Sequence, residues 1–181
     1  MLTIYQFNMV ILLRIIHIFA AGTLVGSVIF NYFLLRPALT LIPPAHAVVI
    51  AQRVGTVFTY LGWVALGLLV LSGLMRLHYM GDLELLSSLE LYAHGHGRSL
   101  AIMIVSWFIT VVSSTIMTFV LRPKLMNKLL VSSSPNLADV EKRRAAQMTA
   151  SVWLDRLQLL NVITSITALI AGASVVEGGL F

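Results

Sequence analysis

Four long apolar runs, at residues 9–35, 54–77, 99–121 and 157–176, constrain this chain more than any other feature. Each holds about 20 or more mostly apolar positions, enough at roughly 1.5 Å per residue to cross the ~30 Å hydrocarbon core of a bilayer. A soluble chain of 181 residues would wrap amphipathic elements around one core, whereas these runs are apolar on nearly every face. With 59% of its residues hydrophobic and 10% charged, the chain has too little polar surface to hold them in water. Backbone groups in lipid must be paired within a helix or a closed barrel, and the alternating pattern of barrel strands is absent, so the runs are read as helices. The predicted fold is all-α, an integral-membrane four-helix bundle, with residues 1–181 forming a single transmembrane domain.

Basic residues set the orientation. Four crossings place the connections at 36–53 and 122–156 on one side, and the N-terminus, the 78–98 connection and the C-terminus on the other. The first side carries Arg36, Arg53, Arg122, Lys124, Lys128, Lys142, Arg143, Arg144 and Arg156, nine of the chain's 12 Lys and Arg. The other side has Arg14, Arg76 and Arg98, with Asp82, Glu84, Glu90 and Glu177. By the positive-inside rule both termini face the periplasm. Topology and anionic headgroups account for the net charge of +5, so the expected partner is the lipid bilayer and no nucleic acid is required. The first run has no basic residues ahead of it and is far longer than a signal-peptide apolar region, so it is read as a retained helix. Zero cysteines exclude disulfides, thiolate metal sites and cysteine nucleophiles.

The connections carry helix punctuation. Arg36-Pro37 reads as a stop and Pro43-Pro44 as a restart. Ser134 as N-cap and Pro135 at the first helical position would begin a cytoplasmic helix that runs on into the fourth span. No tandem repeat is visible. Leu-Arg-Pro occurs twice, at 35–37 and 121–123, and a shared stop signal accounts for it. Gly22 with Gly26, and Gly62 with Gly67, predict close helix approach, while Ser106, Thr110 and Ser113 face Asn161, Thr164 and Ala168 as an interhelical polar stripe.

Four of the five histidines, His17, His78, His94 and His96, fall toward the periplasmic side. Imidazole at membrane depth is costly unless something uses it. His17 lies about eight residues into the first span, with Arg14 one turn away. His78 ends the second span. His94 and His96 sit in Tyr92-Ala93-His94-Gly95-His96-Gly97-Arg98, where the glycines argue against helix and let both rings bend toward one point. A b-type haem needs axial donors on opposite faces of its ring and cations for its propionates; His17 with His94 or His96 supplies the first, and Arg14, Arg76 and Arg98 the second. Copper(I) favours imidazole and thioether donors, and Met9, Met75, Met80 and Met103 share the outer half with His17, His78, His94 and His96.

Leu13-Arg14-Ile15-Ile16-His17, followed by Ala20-Ala21-Gly22 and Leu34-Leu35-Arg36-Pro37-Ala38-Leu39, resembles the first helix of the copper-resistance protein D family. Arg53 to Leu74, ending Leu69-Val70-Leu71-Ser72-Gly73-Leu74, resembles its second helix, and Gly97-Arg98-Ser99-Leu100 through Leu121-Arg122-Pro123-Lys124-Leu125 its third. The small four-helix membrane protoporphyrinogen oxidase family is similar too, with a first-helix histidine matching His17. That family's third-helix lysine falls at Met103 here, which counts against porphyrinogen oxidation.

The resemblance implies a multi-pass protein of the bacterial inner membrane that handles haem b or copper near the periplasmic face, in copper handling or electron transfer. A periplasmic copper or electron carrier, or a larger membrane complex, would be its partner. Whether it catalyses a reaction is left open. A second expectation stands beside it, a cofactor-free structural subunit of a respiratory or photosynthetic complex, since little of the chain lies outside the apolar runs.

Overall fold

The computed structural model describes residues 4–81, 83, 86, 93–126, 137–175 and 178–179, and among these there is no strand. Helix α1 comprises Ile4–Ile29, a π-helical turn over Phe30–Leu35 and a final turn Arg36–Thr40. Helix α2 is Pro44–Met80, helix α3 is Gly95–Thr115 continued by a π turn Ile116–Leu121 and Arg122–Met126, and helix α4 is Leu137–Ser174. Within them, Tyr5–Thr40, His46–Met80, Gly95–Lys124 and Arg144–Ser174 are each long and apolar enough to cross a membrane. The rods overrun the apolar cores read from the sequence at most of their ends. The expected helix start at Ser134 and Pro135 lies outside the described residues, as do Asp82, Glu84, Glu90, Tyr92, Lys128 and Glu177, and the side chains of Lys142 and Arg143.

Neither Arg-Pro pair stops its helix. Proline 37 lacks the N–H that would bond to the Phe33 carbonyl, and its ring crowds that carbonyl. The preceding turn widens instead: the Arg36 N–H bonds to the Asn31 carbonyl, five residues back. The same shift occurs before Pro123, where the Arg122 N–H bonds to Met117. With the clash relieved, α1 continues one turn to Thr40. Helix α2 begins at Pro44 as expected, after Pro43 at an extended ψ of 138°. It ends at Gly81, whose left-handed φ of 82° directs its N–H back to the His78 carbonyl at 3.1 Å.

The bundle is polar inside and apolar outside. Phe19, Leu71, Phe108 and Ile163 are exposed, whereas Ser72, Ser99, Ser106, Thr110, Ser113, Asn161, Thr164 and Ser165 are buried. Lipid is as apolar as leucine, so the helices gain nothing by hiding leucines from it. They associate through small residues and interhelical hydrogen bonds. The expected stripe does this: Thr110 and Thr164 hydroxyls bond at 2.9 Å, Ser113 donates to Asn161 Oδ1, and Asn161 donates to Ser114.

Helices α1 with α2, and α3 with α4, pack as two antiparallel hairpins, and α4 closes onto α1. Between α2 and α3, Trp107 donates its indole N–H to the Leu66 carbonyl at 3.1 Å. The two hairpins use one framework. Buried Leu13, Ala20 and Leu24 of α1 and buried Ser99, Ser106 and Thr110 of α3 stand in the same order, each pair 86 residues apart. Ala65, Leu66 and Ser72 of α2 match Thr164, Ser165 and Ala171 of α4, each pair 99 apart. Arg36 pairs with Asp155 of α4, and Arg122 bonds to Thr56 and Thr59 of α2. Arg36 and Arg122 keep the first spacing, and Thr56 and Asp155 the second. The duplicated Leu-Arg-Pro is therefore one position of a repeated architecture rather than an isolated stop signal. The sequence conceals it because the repeat conserves burial, not side-chain identity.

Candidate functional site

The N-terminal half of α1 and the C-terminal half of α2 bring His17 against Ser72 and Gly73, with Arg14 and Arg76 one turn away along their helices. His17 is half-buried, and its Nδ1 lies 2.9 Å from Ser72 Oγ. Ser72 Oγ is also 2.5 Å from the Leu68 carbonyl. A serine hydroxyl has one proton, and a carbonyl can only accept, so Ser72 donates to Leu68 and accepts from the imidazole. The network thereby assigns the Nδ1–H tautomer of the neutral ring, with the lone pair at Nε2. The His17 ring rests against Gly73, where a β-carbon would stand 3.5 Å from Cε1.

Arg76 follows Gly73 by three residues and is half-buried, whereas Arg14, three residues before His17, is exposed. The Arg76 Nε is buried and has no hydrogen-bond partner among the described residues. An unmade bond on a buried charged donor costs about 1–3 kcal/mol or more, so this nitrogen calls for an acceptor. The site thus combines an imidazole with a defined lone pair, two guanidiniums and one unsatisfied donor.

The other sequence-predicted residues lie elsewhere. His94 is the N-cap of α3, at φ −101° and ψ 154°, and His96 is in its first turn; both are exposed. Gly95 and Gly97 are helical, contrary to the expected bend. Gly97 is buried, and Gly179 packs its backbone on that of Gly95 and His96, where a β-carbon on Gly179 would not fit. Arg98 donates to the Ala93 carbonyl at 2.9 Å. His78 is exposed, edge-on to Tyr79 at 5.8 Å, and Met80 is also exposed. Among the described residues, no three His, Asp or Glu side chains converge as a metal-binding group.

The glycines expected to bring helices together do not. Gly22, Gly26, Gly62 and Gly67 have no atom within 4 Å of where a β-carbon would stand. Gly22 and Gly26 instead line an open groove of about 320 Å³ with Thr23, Ser27, Phe30, Phe58 and Leu61. The supporting glycines are Gly73, under His17, and Gly172, under Met103. Sequence reading singled out neither Ser72 nor Gly73 as part of the site. The signal was a Ser-Gly pair interrupting a leucine-rich run one turn before Arg76. No protein-family model, curated protein or solved structure matches the chain.

Proposed function

We propose that this chain is a haem b-binding electron-transfer protein of the bacterial inner membrane, with its site near the periplasmic ends of α1 and α2. The observation that carries this reading is the His17 imidazole, held through Nδ1 by Ser72 so that Nε2 is available to ligate. Such an outer-shell bond fixes tautomer and ring direction in metal-ligating histidines. The surroundings also suit the group: the orphaned Arg76 Nε calls for an anionic acceptor, which a propionate is. When bound, haem supplies the one-electron couple. The chain's own residues orient the imidazole and offer guanidinium donors to carboxylates through Arg14 and Arg76.

Arg36, Arg53, Arg122, Lys124, Arg144 and Arg156 flank the opposite helix ends, and this bias supports a cytoplasmic location for those ends and a periplasmic one for both termini. A periplasmic electron carrier is then the partner class. The likeness of the His17 and Leu34–Leu39 segments to copper-resistance D proteins supports a metal-handling role. Bare copper is disfavoured by Arg14 and Arg76, each within about one turn of the His17 site, since cations there raise the energy of a bound cation.

The test is an absorption spectrum of the purified full-length protein with metal analysis, repeated on His17→Ala. Haem absorption with a sharp reduced α-band, lost in His17→Ala, is the expected outcome. Stoichiometric copper without porphyrin would replace haem with copper handling. A protein with neither, or haem retained in full by His17→Ala, would overturn the reading, the former in favour of a structural subunit.

A further inference from the structure

We infer that the end of the α2–α3 seam that carries Arg122 is a binding site for the phosphate of a membrane phospholipid. The site stands whether or not His17 binds haem. Its basis is what the repeated framework sets opposite each of two equivalent arginines.

Arg36 on α1 and Arg122 on α3 hold the same position in the two hairpins, as do Asp155 on α4 and Thr56 on α2. Arg36 meets the Asp155 carboxylate, so its charge is balanced within the chain. Arg122 meets only hydroxyls: Nη1 donates to Thr59 Oγ1 at 2.9 Å and Nη2 to Thr56 Oγ1 at 2.6 Å. Those hydroxyls give their own protons to the Gly55 and Gln52 carbonyls, at 2.7 and 2.8 Å. They are therefore neutral acceptors that aim the guanidinium without offsetting its charge. Neither α2 nor α3 contains an aspartate or glutamate. On α4, Asp155 is committed to Arg36, while Glu141 and Asp139 come 14 and 16 residues earlier, about 21 Å or more further along the helix. Among the described residues Arg122 thus has no anionic partner. Its neighbours add to the charge, since Arg53 is one turn from Thr56, Lys124 is two residues past Arg122, and both are exposed.

The two seams between the hairpins differ in a matching way. Helix α4 closes onto α1, whereas α2 and α3 stay further apart and are bridged by long side chains. Trp107 reaches the Leu66 carbonyl, and the Trp63 ring centre lies 6.4 Å from that of Phe119. At the equivalent positions of the closed seam, Ala21 stands for Trp107 and Val162 for Trp63. Small side chains let α1 and α4 meet; bulky rings hold α2 and α3 apart. Phe119, which is exposed, and Trp63 lie one turn deeper in their spans than Arg122 and Thr59. A fixed cation at the end of the span, with aromatic rings one turn below it, matches a phospholipid: phosphate oxygens on the guanidinium, acyl chain along the rings. A free phosphate would use the cation and leave the rings idle.

The test uses the full-length protein, delipidated in non-ionic detergent, with Arg122→Gln, Thr56→Asp and Arg36→Gln beside it. Phosphatidylglycerol, diacylglycerol with the same chains and inorganic phosphate are the probes. Native mass spectrometry counts bound lipid, and the thermal midpoint is followed with each probe. Phosphatidylglycerol should bind the parent one-to-one, in preference to diacylglycerol, and raise its midpoint. Thr56→Asp gives Arg122 the carboxylate that Arg36 already has, so this variant should fold as well as the parent yet bind the phospholipid about tenfold or more weakly. Arg122→Gln should lose as much, and Arg36→Gln should bind like the parent. Phosphatidylglycerol held no better than diacylglycerol would overturn the inference. So would parent-like affinity in Thr56→Asp, an equal loss in Arg36→Gln, or equal protection by inorganic phosphate. If Arg122→Gln is not recovered folded, Thr56→Asp decides, because it keeps the arginine paired.

Discussion

The two hairpins share a framework and fill it differently. Where α1 and α2 meet, the interior positions hold Leu24, Ala65 and Leu66, with Trp63 and Leu69 against them. At the matching level of α3 and α4 stand Thr110, Thr164 and Ser165, and one turn further toward Arg36 and Arg122, Ser113 meets Asn161 where the first hairpin has Ser27 and Gly62. Toward the end that carries His17 the contrast reverses. The first hairpin carries His17, Ser72 and Arg76; the second carries Met103, Ala171 and Val175 at the same positions. One hairpin is pinned by side-chain hydrogen bonds in its middle and again at its mouth, where the Ser99 and Ser174 hydroxyls bond at 3.0 Å. The other is apolar in its middle, open at Gly22 and Gly26, and polar at its mouth. A repeated scaffold can therefore divide labour, with cohesion assigned to one copy and reactivity to the other.

The sharpest way to break this comparison is Ser72→Ala. It removes the acceptor that fixes the His17 tautomer without touching the second hairpin. Haem affinity should fall about 10- to 100-fold, the usual cost of losing an outer-shell partner, while the thermal midpoint of the cofactor-free protein barely moves. Equal haem titrations of variant and parent would detach Ser72 from the site. The converse change, Asn161→Ala, removes bonds to Ser113 and Ser114. It should destabilise the bundle by about 1 kcal/mol, within the range found for interhelical hydrogen bonds in membranes, and leave the haem spectrum intact. Unfolding in mixed detergent measures it, and a spectral change would mean that the hairpins are not functionally separate. The smallest effect is expected from Gly22→Ala. With no atom within 4 Å of the new methyl, stability should shift by less than about 0.5 kcal/mol. A larger loss would mean that the groove face packs against something in the bilayer.

Much of the fold was readable because spans advertise themselves through uninterrupted hydropathy, and hydrogen-bonding residues such as Thr110 and Asn161 stand out against it. The restart at Pro44 was legible for the same local reason. Gly22 and Gly26 misled because spacing says which residues share a face, not which face meets a helix. Arg36-Pro37 misled because a widened turn satisfies the backbone that proline disrupts. At the site, His17, Arg14 and Arg76 were legible as rare polar groups in apolar surroundings. Ser72 and Gly73 were not, since a serine and a glycine in a leucine run acquire meaning only when a residue 55 positions away in sequence lands on them.

The π-helical turns before Arg36 and Arg122 also bear on the order in which the chain can be assembled. Each extra residue in the turn changes the direction of the arginine after it, and both arginines reach to the other hairpin. As the chain leaves the ribosome, Arg122 finds Thr56 and Thr59 already inserted on α2. Arg36 must wait, because Asp155 is not made until α4 begins. Both members of that ion pair are 39% exposed, so it adds little to final stability. Its contribution is to register: Asp155 lies midway along α4, just ahead of its apolar run, and the cation of the first helix fixes the place where it docks.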